Sequence, residues 1–195
     1  MLIIRRKDDS TPHLSVSPQP SARARRAASD GAYEAAGESE EWYTPPYIFE
    51  ALGVRFDLDV ACPVDRTHIA VPANSFISDR SLEKQWSGLV WMNPPFGHQA
   101  TKRKWLGKFF DHGNGIALTP DRTSAPWFRE AWRRADIVLF TPKIKFVRPD
   151  GSLGLSPGTG TCLWAAGPVA IKALHHAADG GLGIVAKPIS PGADQ

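Results

Sequence analysis

Cysteine is nearly missing from this chain: Cys62 and Cys162 are the only two in 195 residues. Neither belongs to a CxxC pair or has a histidine at metal-ligand spacing, which argues against a zinc site built on thiolates. The six histidines show no metal spacing either, and His175-His176 suits the surface of a helix. No metal site is therefore expected, and the two thiols are expected buried and free, as in a reducing compartment. No apolar run approaches the roughly 18 residues of a membrane span. Met1-Leu2-Ile3-Ile4-Arg5 has no adequate apolar run after a basic region, so a secretory signal peptide is not expected. A large excess of one charge is lacking too. Lys and Arg number 23 against 20 Asp and Glu, a net +3. That excludes histone-like density but permits contact with nucleic acid.

Apolar residues make up 42% and aromatics 10%, with seven tryptophans, enough for one domain with a real core. Composition does not decide whether the tryptophans fill that core or stack on bases. Residues 1–38 are different: Ser, Pro, Ala and Arg dominate, and large apolar residues are scattered. Such a stretch buries too little surface to offset its ordering entropy, so it is expected as a flexible tail. Arg23, Arg25 and Arg26 form a small basic patch there, suited to phosphate or simply to solvent. A single domain is expected over 39–190, with a short tail at 191–195.

Order is expected to begin at Glu41-Trp42. Thr44-Pro45-Pro46 leads into a helix, because proline is tolerated in a first turn, and Gly53 stops it. Phe56 to Cys62 predicts a strand whose far end bears Asp59, closed by Pro63. Leu89-Val90-Trp91-Met92 is a continuous apolar run, the pattern of a strand buried on both faces. Residues 100–112 predict a helix. Further strands are expected at 115–120, 137–140, 144–147, 162–166 and 182–186, with helices at 125–135 and 169–178 and a loop at 149–161. Short apolar strands separated by helices predict an α/β fold with a mostly parallel sheet and helices on both faces. Ligands in such folds sit beyond the carboxyl ends of the strands. Asp59 to Pro63, Asn93 to Gly97 and Thr119 to Arg122 are polar turns at three such ends.

The turn Asn93-Pro94-Pro95-Phe96 is chemically the most specific. Two prolines fix two φ angles and remove two donors. The proline after it pushes Asn93 out of the helical region. A stiff loop rich in acceptors results: the Asn93 amide oxygen, the Pro94 carbonyl and the flat face of Phe96. Two acceptors can hold the two hydrogens of an exocyclic amine and favour a nitrogen becoming tetrahedral. Phe96 can stack on a base swung out of its duplex. Taken alone, however, Asn-Pro-Pro is also an ordinary turn after a strand.

With those residues in place, the chain resembles the phage-type DNA N6-adenine methyltransferases, the Dam family. The resemblance spans roughly residues 40–187. Glu41-Trp42-Tyr43-Thr44-Pro45 is similar to the family's opening Trp-x-Thr-Pro motif. Phe56-Asp57-Leu58-Asp59-Val60-Ala61 is similar to its Phe-x-Leu-Asp-x-Ala strand, and Leu89 to Gly97 to its catalytic segment. Ala117-Leu118-Thr119-Pro120, Trp127-Phe128 and Ile144-Lys145-Phe146 resemble its distal pattern. The resemblance implies a Rossmann-like fold and S-adenosylmethionine as cofactor. It implies that Asn93, Pro94, Pro95 and Phe96 hold the target adenine, and that Trp42, Thr44, Pro45 and Asp59 line the cofactor site. Asp79 is either a further cofactor contact or the N-cap of a short helix. Many methyltransferases follow their first strand with a Gly-rich loop; here Val60-Ala61-Cys62-Pro63 follows Asp59, a lack the phage family shares.

DNA is the expected partner, in the cytoplasm of a bacterial host, with the chain encoded by phage or prophage. His98, Lys102, Arg103, Lys104 and Arg122 are the expected contacts, among a wider set of basic residues that includes Lys108, Arg129, Lys143, Lys145 and Arg148. Nothing in the sequence sets the oligomeric state or the recognition sequence. Cytosine N4 presents a similar amine and is the alternative substrate. A nucleic-acid-binding module of the same fold without turnover is the alternative of a different class.

Overall fold

The computed structural model describes residues 42–95, 97–154 and 159–189. The expected tails at 1–38 and 191–195 lie outside the described residues, as does Phe96.

Pro46 opens helix α1 (Pro46–Leu52), and Gly53 ends it in the left-handed region at φ 63°, its N–H donating to the Phe49 carbonyl. Strand β1 (Phe56–Asp59) follows. Strand β2 (Ala73–Phe76) has no counterpart among the expected elements. Its sequence, Ala-Asn-Ser-Phe, lacks both an apolar run and β-branched residues. The buried run 90–92 forms β3 (Val90–Met92). Helix α2 (Gln99–His112), β4 (Gly115–Pro120), helix α3 (Pro126–Trp132) and β5 (Ile137–Thr141) come next. The described chain then forms β6 (Thr161–Ala166), helix α4 (Pro168–Asp179) and β7 (Ile184–Ala186).

The strands form one sheet in the order β2-β1-β3-β4-β6-β5-β7. The three ladders from β2 to β4 are parallel. The three involving β5, β6 and β7 are antiparallel, and two of them are the longest in the sheet. The expectation of a mostly parallel sheet is thus corrected to a mixed one. Strand β6 is buried at every position. A strand buried on both faces shows no alternation by which its direction could be read. Among the described residues no crossover helix joins β5 to β6, and β6 returns beside β5 in the opposite sense.

Helices do cover both faces. On one, α1 and α4 pack Ile48, Phe49, Leu52, Ala173 and Leu174 against Trp91, Ile116, Leu118 and Leu163. On the other, α2 and α3 pack Leu106, Phe109, Trp127 and Phe128 against Val90, Met92, Ala117 and Trp164. The alternation of Val90, Trp91 and Met92 between the two clusters is the two-residue period of a strand. The strand expected over 144–147 does not form. Ile144 and Phe146 are instead buried in the first cluster, and Val147 makes single bridges to Tyr43 and Leu153.

Gly88 sets the start of β3. It sits at φ 67°, and a Cβ there would lie 2.2 Å from Asp57 Oδ2. That close approach lets the same carboxylate oxygen accept from the Leu89 N–H at 2.7 Å. Because β1, β3 and β4 run parallel, their carboxyl ends share one edge. Asp59 and the Asn93 turn meet there. Thr141 pairs with Thr161, and Pro120 with Thr161, so β6 begins at that same edge.

Candidate active site

At the edge lies a cavity of about 240 Å³. Trp42, Tyr43 and Thr44 form one part of its wall, and Asp59 to Val64 another. Ile69 to Val71, Ile77 to Ser81, Trp91, Trp105 and Asn93 to Pro95 complete it. Three stretches far apart in sequence thus meet: the segment before α1, the turn after β1 and the turn after β3. The turn after β4, at Thr119 to Arg122, does not line the cavity.

The Asn93 amide has one possible orientation. Its Nδ2 donates to the Trp42 carbonyl at 2.9 Å and to Thr44 Oγ1 at 3.3 Å. A carbonyl oxygen only accepts, so the amide nitrogen must face it. Asn93 Oδ1 is therefore turned away from Trp42 and has no partner among the described residues. Every fully buried side-chain nitrogen or oxygen among those residues is hydrogen-bonded. Hence Oδ1 is not sealed off, and it is an acceptor available at the cavity wall.

Trp42 is itself held in place. Tyr43 and Val147 exchange both backbone hydrogen bonds at 2.9 Å. The Arg148 guanidinium lies 5.9 Å from the centre of the Trp42 ring. Gly154 packs so closely that a Cβ there would be 2.8 Å from the ring. The segment 144–154, whose first four residues were expected as a strand, thus works as a brace for 42–44.

Asp59 ends β1 and is only 3% exposed. Its Oδ1 accepts from the Ala61 N–H at 3.0 Å. Among the described residues no cation pairs with it. Burial pushes its carboxyl up to about 7, against the smaller opposing pull of the Ala61 hydrogen bond. Nearby, burial and then the Asp59 charge raise the Cys62 thiol to about 12, while Arg66 pulls it down. Cys62 is thus an inert wall residue, not a nucleophile. Both cysteines are free and buried, as expected.

Asp79 also lines the cavity, but its carboxylate is exposed. It accepts from Lys84 at 2.6 Å and pairs with Arg80 at 3.5 Å. The Lys84 hydrogen bond and charge hold it below the ordinary carboxylate range. No helix follows it; residues 81–83 form a turn, so Asp79 is not a helix cap.

The basic residues separate into two kinds. His98, Lys104 and Arg122 are exposed. His98 precedes α2 without a side-chain capping bond. Arg103 is tied to Glu130 of α3 by two 2.9 Å bonds. Lys102 is only 6% exposed, and its ammonium donates to the Gly97 carbonyl just after the Pro-Pro turn. It faces the protein, where a surface phosphate contact was expected.

Several wall residues escaped sequence reasoning: Ile69 to Val71, Ser81, Trp91 and Trp105. Residues 63–88 give no periodic pattern, and only Pro63, which closes β1, marked where that wall begins. Among the described residues no cluster of potential ligands could hold a metal ion, and no helix is long and apolar enough to cross a membrane.

A family model described as DNA N-6-adenine-methyltransferase (Dam) matches residues 34–158, well over half of the chain and all of the cavity wall. No curated protein and no solved structure matches the chain.

Proposed function

The chain belongs to the DNA N-6-adenine-methyltransferase (Dam) family, and from that premise we propose that it transfers a methyl group from S-adenosylmethionine to adenine N6 in DNA, at a specific sequence. The observation that carries this reading is the fixed Asn93 amide, whose oxygen is left as an acceptor on the same cavity wall as the buried Asp59 carboxylate.

The wall suits the cofactor. Asp59 is a buried carboxylate without a cation, matched to the amino group of a methionine moiety. Trp42 and Trp105 offer flat apolar surface for a nucleoside and Thr44 shares their wall, whereas Pro45, expected there too, is not part of it. Asp79 is the wall's second carboxylate and remains a candidate for the cofactor's ribose or adenine. When bound, S-adenosylmethionine would supply a methyl group on a sulfonium sulfur, open to direct attack by the amine lone pair. Rossmann-like is the fold type this cofactor implies, here with β6 reversed.

The chain's own residues then handle the base. Asn93 Oδ1 and the Pro94 carbonyl accept the two N6 hydrogens and favour the nitrogen as it becomes tetrahedral. Pro95 keeps the turn stiff. Phe96, by its place in the motif, stacks on the flipped adenine, worth roughly 1–3 kcal/mol by analogy with single-strand binders. No covalent enzyme intermediate is needed: the methyl–sulfur bond would break as the N–C bond forms, leaving a neutral thioether, and the methylated amine would release one proton to solvent. His98, Lys104 and Arg122 are the proposed phosphate contacts, acting in a bacterial cytoplasm on behalf of a phage or prophage.

Methyl transfer from labelled cofactor to DNA, followed by nucleoside analysis, tests the proposal. N6-methyladenine is the expected product. N4-methylcytosine would reassign the substrate, and DNA binding without cofactor binding would leave a module without turnover.

A further inference from the structure

We infer that Lys108, outside the cavity, is a positioning residue for cofactor binding: its ammonium holds the loop that forms one cavity wall. This inference rests on reading the cavity as the S-adenosylmethionine site.

Residues Ile77 to Ser81 line the cavity. Within this stretch Arg80 stands in the left-handed region at φ 43°, and a turn follows at 81–83. A non-glycine residue holds that conformation only where its surroundings enforce it. Lys108, on α2, holds the turn that follows Arg80. Its Nζ donates to the carbonyls of Ser81 and Leu82, both at 2.9 Å, and to that of Lys84. An ammonium has three protons, and all three are accounted for.

Trp86 completes the clamp. Its indole N–H reaches both the carbonyl and the hydroxyl of Ser81 at 3.1 Å. The Lys108 ammonium lies 4.8 Å from the centre of the Trp86 ring. Trp86 in turn stacks on Trp105, a wall residue, at 6.1 Å. The Ser81 carbonyl therefore accepts from both Lys108 and Trp86, at the point where the wall ends. A surface lysine that only met solvent or phosphate would have none of these partners. The ordinary alternative, a lysine that merely stabilises the fold, predicts a different experimental result.

The test is steady-state kinetics with cofactor varied at saturating DNA, with cofactor affinity measured by calorimetry and folding by thermal melting. Lys108→Met keeps the stem and removes the donors. Loss of charge-assisted hydrogen bonds to the loop is expected to raise cofactor KM and Kd by about tenfold. kcat at saturating cofactor should stay within about twofold, because the Asn93 turn is untouched. Lys108→Arg keeps a multi-donor cation and should recover much of the loss. Trp86→Phe should raise cofactor KM in the same direction, and its effect should fail to add to that of Lys108→Met, since both act on Ser81. If Lys108→Met does not fold, the Arg and Phe variants decide by the same KM-against-kcat split. Unchanged KM in every folded variant would overturn the inference, as would parallel losses of kcat and melting temperature without rescue by Arg. Failure of the wild-type protein to bind S-adenosylmethionine would instead sink the cofactor reading itself.

Discussion

The Asn93 amide nitrogen lies 2.9 Å from the carbonyl oxygen of Trp42, a residue 51 positions earlier in the chain. This one bond turns a common amide into a directed acceptor. It also makes the orientation of the Asn93 amide depend on the segment that precedes α1.

Replacing Asn93 with Ala removes the acceptor while leaving the turn prolines in place. kcat is expected to fall on the order of 100-fold, the scale of deleting one preorganised group aimed at developing charge. Single-turnover assays beside DNA-binding titrations check this; near-normal turnover would refute the role given to Asn93.

Asp59 sets a pH dependence. A carboxyl near 7 in the fold and near 3.8 when unfolded binds an extra proton in the native state between those values. Its contribution to stability is full below the unfolded value and is lost as pH rises towards about 7. The loss has a ceiling of about 4 kcal/mol, taking roughly 1.4 kcal/mol per pH unit. Cofactor affinity should change the other way, rising from pH 6 to 8 as the carboxylate ionises. Denaturant titrations and calorimetry across that range test both, with Asp59→Asn expected to flatten the two curves. Cys62 feels the Asp59 charge, but its high value keeps that thiol neutral throughout.

Lys102 and Lys104 are two positions apart and should behave differently. Lys102→Met is expected to lower kcat, because the Gly97 carbonyl loses its donor, with the salt dependence of DNA binding unchanged. Lys104→Ala should weaken DNA binding and reduce the salt slope by about 1. A Lys102 variant with weakened, salt-shifted binding and normal kcat would return that residue to the phosphate contacts.

Gly88→Ala forces a side chain into φ 67° and onto the Asp57 carboxylate. A loss of about 2 kcal/mol or more is expected from strain and overpacking together. A denaturation midpoint close to wild type would mean that the turn before β3 gives way easily.

The sequence made the parts bearing chemistry legible because they sit at strand ends marked by proline. Pro63 and Pro94 flagged the turns after β1 and β3, and Asp59 and Asn93 do share one cavity. Helices α1 and α2 were visible from Pro46, Gly53 and the aromatic face at Trp105 and Phe109. What stayed hidden depends on contacts across the sheet. Strand β2 pairs in parallel with β1, and Ala-Asn-Ser-Phe has no side-chain pattern to announce it. The direction of β6 leaves no trace in a run buried throughout. Ile144 to Val147 has a strand's composition but only isolated bridges. Lys102 and Lys108 look like surface charge in a one-dimensional reading, since nothing in their neighbours tells of carbonyls waiting at Gly97 and Ser81.

The reversal of β6 has a consequence for how such an enzyme can diversify. Strand β5 ends, and β6 starts, on the edge that holds the Asn93 turn, so both ends of the connection between them lie on that edge. Its anchor points, Thr141 and Thr161, are locked together by their hydroxyls at 2.7 Å. Within that connection Ile144 and Phe146 are core residues and Val147 braces Tyr43, so only the stretch after Gly154 is free of these contacts. Change in that stretch would leave the ladders of the sheet and the brace on Trp42 in place, and with them the wall that holds Asn93.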